Sequence, residues 1–149
     1  MDKLGRILLV EDDEDDVELT MMALEENKLA NEVVVTFDGE EALDYLYCRG
    51  KFDTRAAGNP SVMLLDLKLP KVDGLQVLQQ IKSDERLNMI PVVVLTSSQE
   101  ETDKIRSYKT GANAYVVKPM NFQLFVNAVR ELGVFWAIIN EPPPGSIKG

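Results

Sequence analysis

Four short apolar runs in this chain each stop at a residue able to take part in phosphoryl chemistry. Arg6 to Val10 ends at Glu11-Asp12, Ser61 to Leu65 at Asp66, Val92 to Leu95 at Thr96, and Tyr115 to Val117 at Lys118. If the runs are parallel strands of one sheet, three acids, a hydroxyl and an ammonium meet at one edge. Three carboxylates held about 4 Å apart repel by about 4 kcal/mol per pair at a surface-like dielectric, so cations must accompany them. A hard divalent ion with oxygen ligands fits, and Mg²⁺ takes one or two carboxylates while keeping waters. Asp12 and Asp66 are the expected ligands, with Glu11 acting through water. Lys118 supplies a second, compact positive charge, and Thr96 a hydroxyl that can donate to a phosphoryl oxygen. The chemistry allowed is attack by the Asp66 carboxylate on a phosphoryl group, giving an acyl phosphate. That nucleophile is already ionised at neutral pH, so no general base is required.

Such a site needs a scaffold that brings strand ends together. Short β-branched runs alternate here with longer stretches of helical period, the pattern of βα units feeding a parallel sheet. Strands are expected at 7–10, 32–36, 62–65, 92–95 and 114–117. Asp13, Asp38 and Asp73 stand where helices should be capped, Gly74 opens one of them, and Gly111 ends another. The intervals from 12 to 66, 66 to 96 and 96 to 118 suit two, one and one βα repeats. In such sheets ligands bind beyond the carboxyl ends of the strands, where Glu11, Asp12, Asp66, Thr96 and Lys118 would lie. Residues 50–60, polar and bracketed by glycines, read as a long surface loop. The segment Glu100 to Thr110 has only Ile105 and Tyr108 as large apolar residues and should be lightly packed. A last helix from about 121 to 139 carries two apolar stripes, Phe125, Val129, Leu132, Trp136 and Ile139 beside Leu124, Ala128, Phe135 and Ile138. The expected organisation is one domain over 1–140 and a Pro/Gly-rich tail over 141–149.

Composition narrows the function. The chain has 149 residues and a net charge of −9, which argues against nucleic acid or an anionic membrane as a direct partner. No apolar run reaches the length of a spanning helix, and no signal-peptide pattern opens the chain. The single cysteine, Cys48, allows no internal disulfide and fits a reducing cytoplasm. There is no histidine, so histidine triads and histidine metal clusters are excluded.

The segments Leu8-Leu9-Val10-Glu11-Asp12, Leu64-Leu65-Asp66-Leu67-Lys68-Leu69-Pro70 with Asp73-Gly74, Thr96-Ser97-Ser98 and Tyr115-Val116-Val117-Lys118-Pro119 resemble, in order, the receiver domain of two-component response regulators. The resemblance covers about residues 5 to 132. It implies a doubly wound α/β fold with a five-stranded parallel sheet in flavodoxin-like order 2-1-3-4-5 and helices on both faces. It implies that Asp66 is phosphorylated by the phosphohistidine of a sensor histidine kinase, and that Mg²⁺ binds Asp12, Asp66 and the main-chain carbonyl of Lys68. It also implies that Thr96 moves toward the phosphoryl group, that Tyr115 swings inward with it, and that the Lys118-Pro119 bond is cis. Glu11 is one carbon longer than the aspartate common at its place. Loop 50–60 and the ending Phe135-Trp136 to Pro143 resemble small stand-alone regulators serving bacterial phytochrome-type kinases.

The expected function is a phosphorylation-dependent switch that is not an enzyme and signals through protein contacts. It would include a homodimer through the last strand and its flanking helices, and a histidine phosphotransfer protein is a further expected partner. Two other readings compete. A Mg²⁺-dependent aspartyl-phosphate phosphatase or phosphotransferase would use the same Asp66, yet haloacid-dehalogenase-type phosphatases need an acid two residues on, where Lys68 stands. A pseudo-receiver used only as a scaffold would not need the intact acid, hydroxyl and lysine set. Singly, each residue has a plainer reading: Thr96 as a strand-end cap, Lys118 as a solvated charge, Tyr115 as a β-former, Cys48 as an inert small hydrophobe.

Overall fold

The computed structural model describes residues 6–26, 32–98, 100–118 and, beyond them, 123, 124, 126, 127, 130 and 131. Five strands, β1 (Ile7–Val10), β2 (Val33–Thr36), β3 (Val62–Leu65), β4 (Val92–Thr96) and β5 (Ala114–Val117), form one sheet in the order β2-β1-β3-β4-β5. All neighbours pair in parallel, Val10 lying opposite Thr36 and Leu65, and Thr96 opposite Val117. The helices are α1 (Glu14–Glu26), α2 (Gly39–Leu46), α3 (Gly74–Lys82) and α4 (Glu101–Thr110), and the described residues from 123 onward are also helical.

The three central strands are apolar as far as Thr96, the last residue of β4, because both of their faces are covered. The period of two sorts their side chains. Leu8, Val10, Met63, Leu65, Val92 and Val94 enter a core with Ala42, Tyr45, Val77, Leu78 and Ile81 of α2 and α3. Ile7, Leu9, Val62, Leu64, Val93 and Leu95 enter a second core with Ala23 and Leu24 of α1 and with Val126. The expected stripes of the last helix did not include Val126, which is buried, whereas Leu124 of the second stripe is exposed. The other stripe residues and the tail lie outside the described residues.

Helix starts follow from side-chain caps. Asp38 accepts from the Glu41 amide at 2.7 Å, and Asp73 forms a reciprocal capping box with Gln76 at 3.0 and 3.1 Å. Asp13 accepts from the Asp16 amide at 3.0 Å. Gly111, at φ 120°, ends α4 in a conformation that disfavours any side chain. Only Ser107 of α4 is fully buried, while Ile105 and Tyr108 are exposed, so this helix is lightly packed as expected.

Loop 50–60 is better anchored than a plain surface loop. A 3-10 turn at Gly50–Phe52 sets the Phe52 ring edge-on to Tyr45 at 5.1 Å. The Arg55 guanidinium lies over the Tyr45 ring, 4.0 Å from its centroid, and donates to the Tyr45 carbonyl at 2.7 Å. One arginine thus closes the loop onto the core through a cation–π contact and a hydrogen bond. Among the described residues no helix is long and apolar enough to cross a membrane.

Candidate functional site

Each site residue follows the last residue of a strand or ends one, which places it at the carboxyl edge of the sheet. Glu11 and Asp12 follow β1, Asp66 follows β3, Thr96 closes β4 and Lys118 follows β5. Backbone pairing continues one step beyond the strands: the Glu11 amide donates to the Thr36 carbonyl at 3.0 Å, Asp66 to Val10 at 3.1 Å and Lys118 to Thr96 at 2.8 Å. The positions of the functional side chains are therefore set by the sheet itself.

Glu11, Asp12 and Asp66 each offer a carboxylate oxygen within 4.8 Å of the others. Glu11 and Asp66 are buried, and Asp12 is exposed at the mouth. Lys118 reaches across from β5 to bond Glu11 directly, Asp16 at 2.9 Å and Asp66 at 3.5 Å. Burial, reinforced by the adjacent Asp66 charge, pushes the Glu11 carboxyl up to about 8 despite the pull of Lys118. Burial also opposes charge on Lys118, but its bonds to Glu11 and Asp16 and the charge of Asp66 outweigh that and hold the ammonium above its ordinary range. A buried acid forced toward neutrality beside two others marks a place short of positive charge. The all-oxygen donor set fits a hard divalent cation.

The backbone around Asp66 leaves no spare room. The Lys68 amide donates to Asp66 Oδ1 at 3.3 Å, fixing the carboxylate against its own loop. A Cβ on Gly74 would fall against the Asp66 carbonyl oxygen and 2.6 Å from Leu67 Cα, so glycine is required where α3 starts beneath the nucleophile. A cleft of about 480 Å³ opens beside the acids, lined in part by Asp12, Lys68, Pro70, Asp73, Asp103 and Arg106.

Thr96 is fully buried, and its Oγ1 accepts from the Ser98 amide at 3.3 Å. Tyr115 is half-buried against the α2/α3 core, with its hydroxyl donating to the Ser98 carbonyl at 3.0 Å, so its ring lies inward. All five residues expected at the site are brought to one edge, and Lys68 is beside them. The expected cis bond involves Pro119, outside the described residues. Asp16 was missed: a first-turn acid of α1 is ordinary helix chemistry, and only the fold shows that it shares Lys118. Ser98 and Asp103 were missed as partners for the same reason, since a loop serine and a helix acid give no periodic signal.

A five-stranded parallel sheet in the order β2-β1-β3-β4-β5, with acids, a hydroxyl and a lysine at its carboxyl edge, is the architecture of a receiver-type signalling domain. The chain belongs to the response regulator receiver domain family, whose profile matches residues 7–130. Among solved structures it is similar to the bacteriophytochrome response regulator RtBRR, at 63% identity and TM-score 0.77, over 96% of this chain and 86% of that one. It is also similar to the phosphorylated cyanobacterial phytochrome response regulator RcpA, at 39% identity and TM-score 0.86, over 94% and 99%. The response regulator Rcp1 of Synechocystis sp. is 38% identical over 130 residues, 87% of either chain. The Mn²⁺-bound form of Rcp1 matches with TM-score 0.85 at 37% identity, over 93% of this chain and 99% of that one. Of these relatives, Rcp1 is known in a Mn²⁺-bound form, RcpA in a phosphorylated form, and RtBRR and RcpA are response regulators of phytochromes.

Proposed function

We propose that Asp66 accepts a phosphoryl group from the phosphohistidine of a sensor histidine kinase and that the chain signals by the change of shape this brings. An Asp66 carboxylate oxygen attacks phosphorus, the bond from phosphorus to the imidazole nitrogen breaks, and that nitrogen leaves with the bonding pair. The observation that carries this reading is the ammonium of Lys118, buried at the strand ends within 3.5 Å of Asp66 and bonded to Glu11. It can neutralise one phosphoryl oxygen while the Thr96 hydroxyl donates to another. Asp12, Asp66 and the Lys68 carbonyl would hold Mg²⁺, with Glu11 through water, and the ion would supply charge neutralisation and alignment.

The kinase is of phytochrome type, a reading supported by the likeness to RtBRR and RcpA. A histidine phosphotransfer protein could exchange the same group with Asp66 by the same chemistry. Exposed Ile105 and Tyr108 on α4, next to β5 at the sheet edge, support an association face for a second copy. Free Cys48 suits the reducing cytoplasm. No turnover of a separate substrate is assigned, because the position two after the nucleophile is Lys68 and offers no second acid.

The test is incubation with Mg²⁺ and acetyl phosphate, followed by intact mass, for the parent and Asp66→Asn. The parent should gain one base-labile phosphoryl group and the variant none. An unmodified parent, or an equally modified variant, refutes the assignment. Rapid multiple turnover of a phosphomonoester would replace it with the phosphatase reading.

A further inference from the structure

Ser98 is bonded through each of its polar groups to a different part of the site. Its amide donates to Thr96 Oγ1 at 3.3 Å, its carbonyl accepts from the Tyr115 hydroxyl at 3.0 Å, and its hydroxyl donates to Asp103 Oδ2 at 2.7 Å. Asp103 is the half-buried third residue of α4, flanked by exposed Thr102, Lys104 and Ile105. An acid there ordinarily returns to the backbone amide of the N-cap residue. Here the N-cap, Glu100, makes no side-chain capping bond, its amide approaches Ser98 Oγ at 3.4 Å, and the Asp103 carboxylate holds the Ser98 hydroxyl.

We propose that Asp103 is a positioning residue for the Asp66 reaction, acting through Ser98 to orient the Thr96 hydroxyl and to keep Tyr115 inward. The inference rests on the assignment of Asp66 as phosphoryl acceptor. A threonine hydroxyl has one proton and two acceptor positions. With the Ser98 amide on an acceptor position, the proton is free to point at a phosphoryl oxygen. The carbonyl of the same residue receives Tyr115, so fixing Ser98 fixes both groups with one charge-assisted bond. By holding Ser98 in this position, Asp103 raises the population of the acceptor-competent arrangement, in which the Tyr115 hydroxyl is bonded to the Ser98 carbonyl. Apparent affinity for a phosphoryl analogue scales with that population.

The test is calorimetric titration with beryllofluoride in the presence of Mg²⁺, on the parent, Asp103→Ala, Asp103→Asn, Ser98→Ala and the double alanine variant, with urea unfolding of each. Each single alanine variant should bind about three- to tenfold more weakly, the range for loss of one partly exposed charge-assisted bond. The double variant should be no weaker than either single one, and Asp103→Asn, which keeps an acceptor, should recover part of the loss. Four outcomes would overturn the proposal. Tighter binding by Asp103→Ala would show that the acid acts only as a like charge near the anion. Unchanged affinity with lowered stability would show a helix cap and nothing more. Additive losses would mean that Asp103 does not act through Ser98. A parent that binds no beryllofluoride would remove the Asp66 assignment itself, an outcome that the parent titration alone identifies.

Discussion

Replacing Glu11 with glutamine should stabilise the protein when divalent ions are removed, by an amount that grows with pH. Glu11 is 2% exposed, and burial beside Asp66 lifts its carboxyl from 4.5 to about 8. A carboxyl raised in the folded state favours folding below 4.5, and that advantage is lost as the pH rises toward about 8. Between those limits the chain must take up a proton to fold, at about 1.4 kcal/mol for each unit of displacement. Glutamine has the shape of the neutral acid and needs no proton. The variant should therefore nearly match the parent at pH 5 and exceed it by a margin that grows to on the order of 3 kcal/mol between pH 7 and 8. Lys118 keeps Asp16 at 2.9 Å and Asp66 at 3.5 Å, so the ammonium is not orphaned by the change.

Urea unfolding in EDTA across that pH range reads the difference directly. Saturating Mg²⁺ should then shrink the gap, because an ion at one hundred times its dissociation constant adds about 2.7 kcal/mol to a protein that binds it only when folded. The variant, lacking the Glu11 charge, should gain less. Parallel pH profiles for parent and variant in EDTA would refute the reasoning, since they would mean that Glu11 is ionised in the fold at the same pH as in the unfolded chain.

Two further substitutions probe the geometry around Asp66. Lys118→Met should slow phosphorylation by acetyl phosphate by on the order of a hundredfold, followed by intact mass, because one fixed cation at the phosphoryl oxygens is lost; an unchanged rate would show that the ammonium serves only to pair the acids. Gly74→Ala should lower stability by about 1–3 kcal/mol in urea unfolding, since its Cβ meets the Asp66 carbonyl and Leu67 Cα at 2.6 Å. It should also slow phosphorylation, and a variant of parental stability would show that α3 can withdraw from the nucleophile without loss.

What the sequence discloses and what it hides divide along a physical line. Strands, caps and the five strand-end residues were legible because each is a local signal: an apolar run stopped by a polar residue, an aspartate before a helical period, a glycine where no Cβ fits. The capping box of Asp73 and Gln76 is readable from spacing alone, and so is the light packing of α4. The partnership of Asp16 with Lys118, 102 positions apart, is not, because it arises only when α1 and β5 are set side by side by the sheet order. Arg55 on Tyr45 is hidden for the same reason, since nothing in a polar loop announces which ring it will cover. The largest unreadable quantity is the state of Glu11. Composition shows an acid beside another acid, whereas its displacement comes from burial under the sheet edge and from Asp66, which follows a different strand. The strand order that assembles the phosphoryl site therefore also loads it with more negative charge than its one lysine compensates. A cation that relieves that charge would raise stability and complete the site in one event, so metal dependence of folding and of phosphorylation should follow the same binding curve.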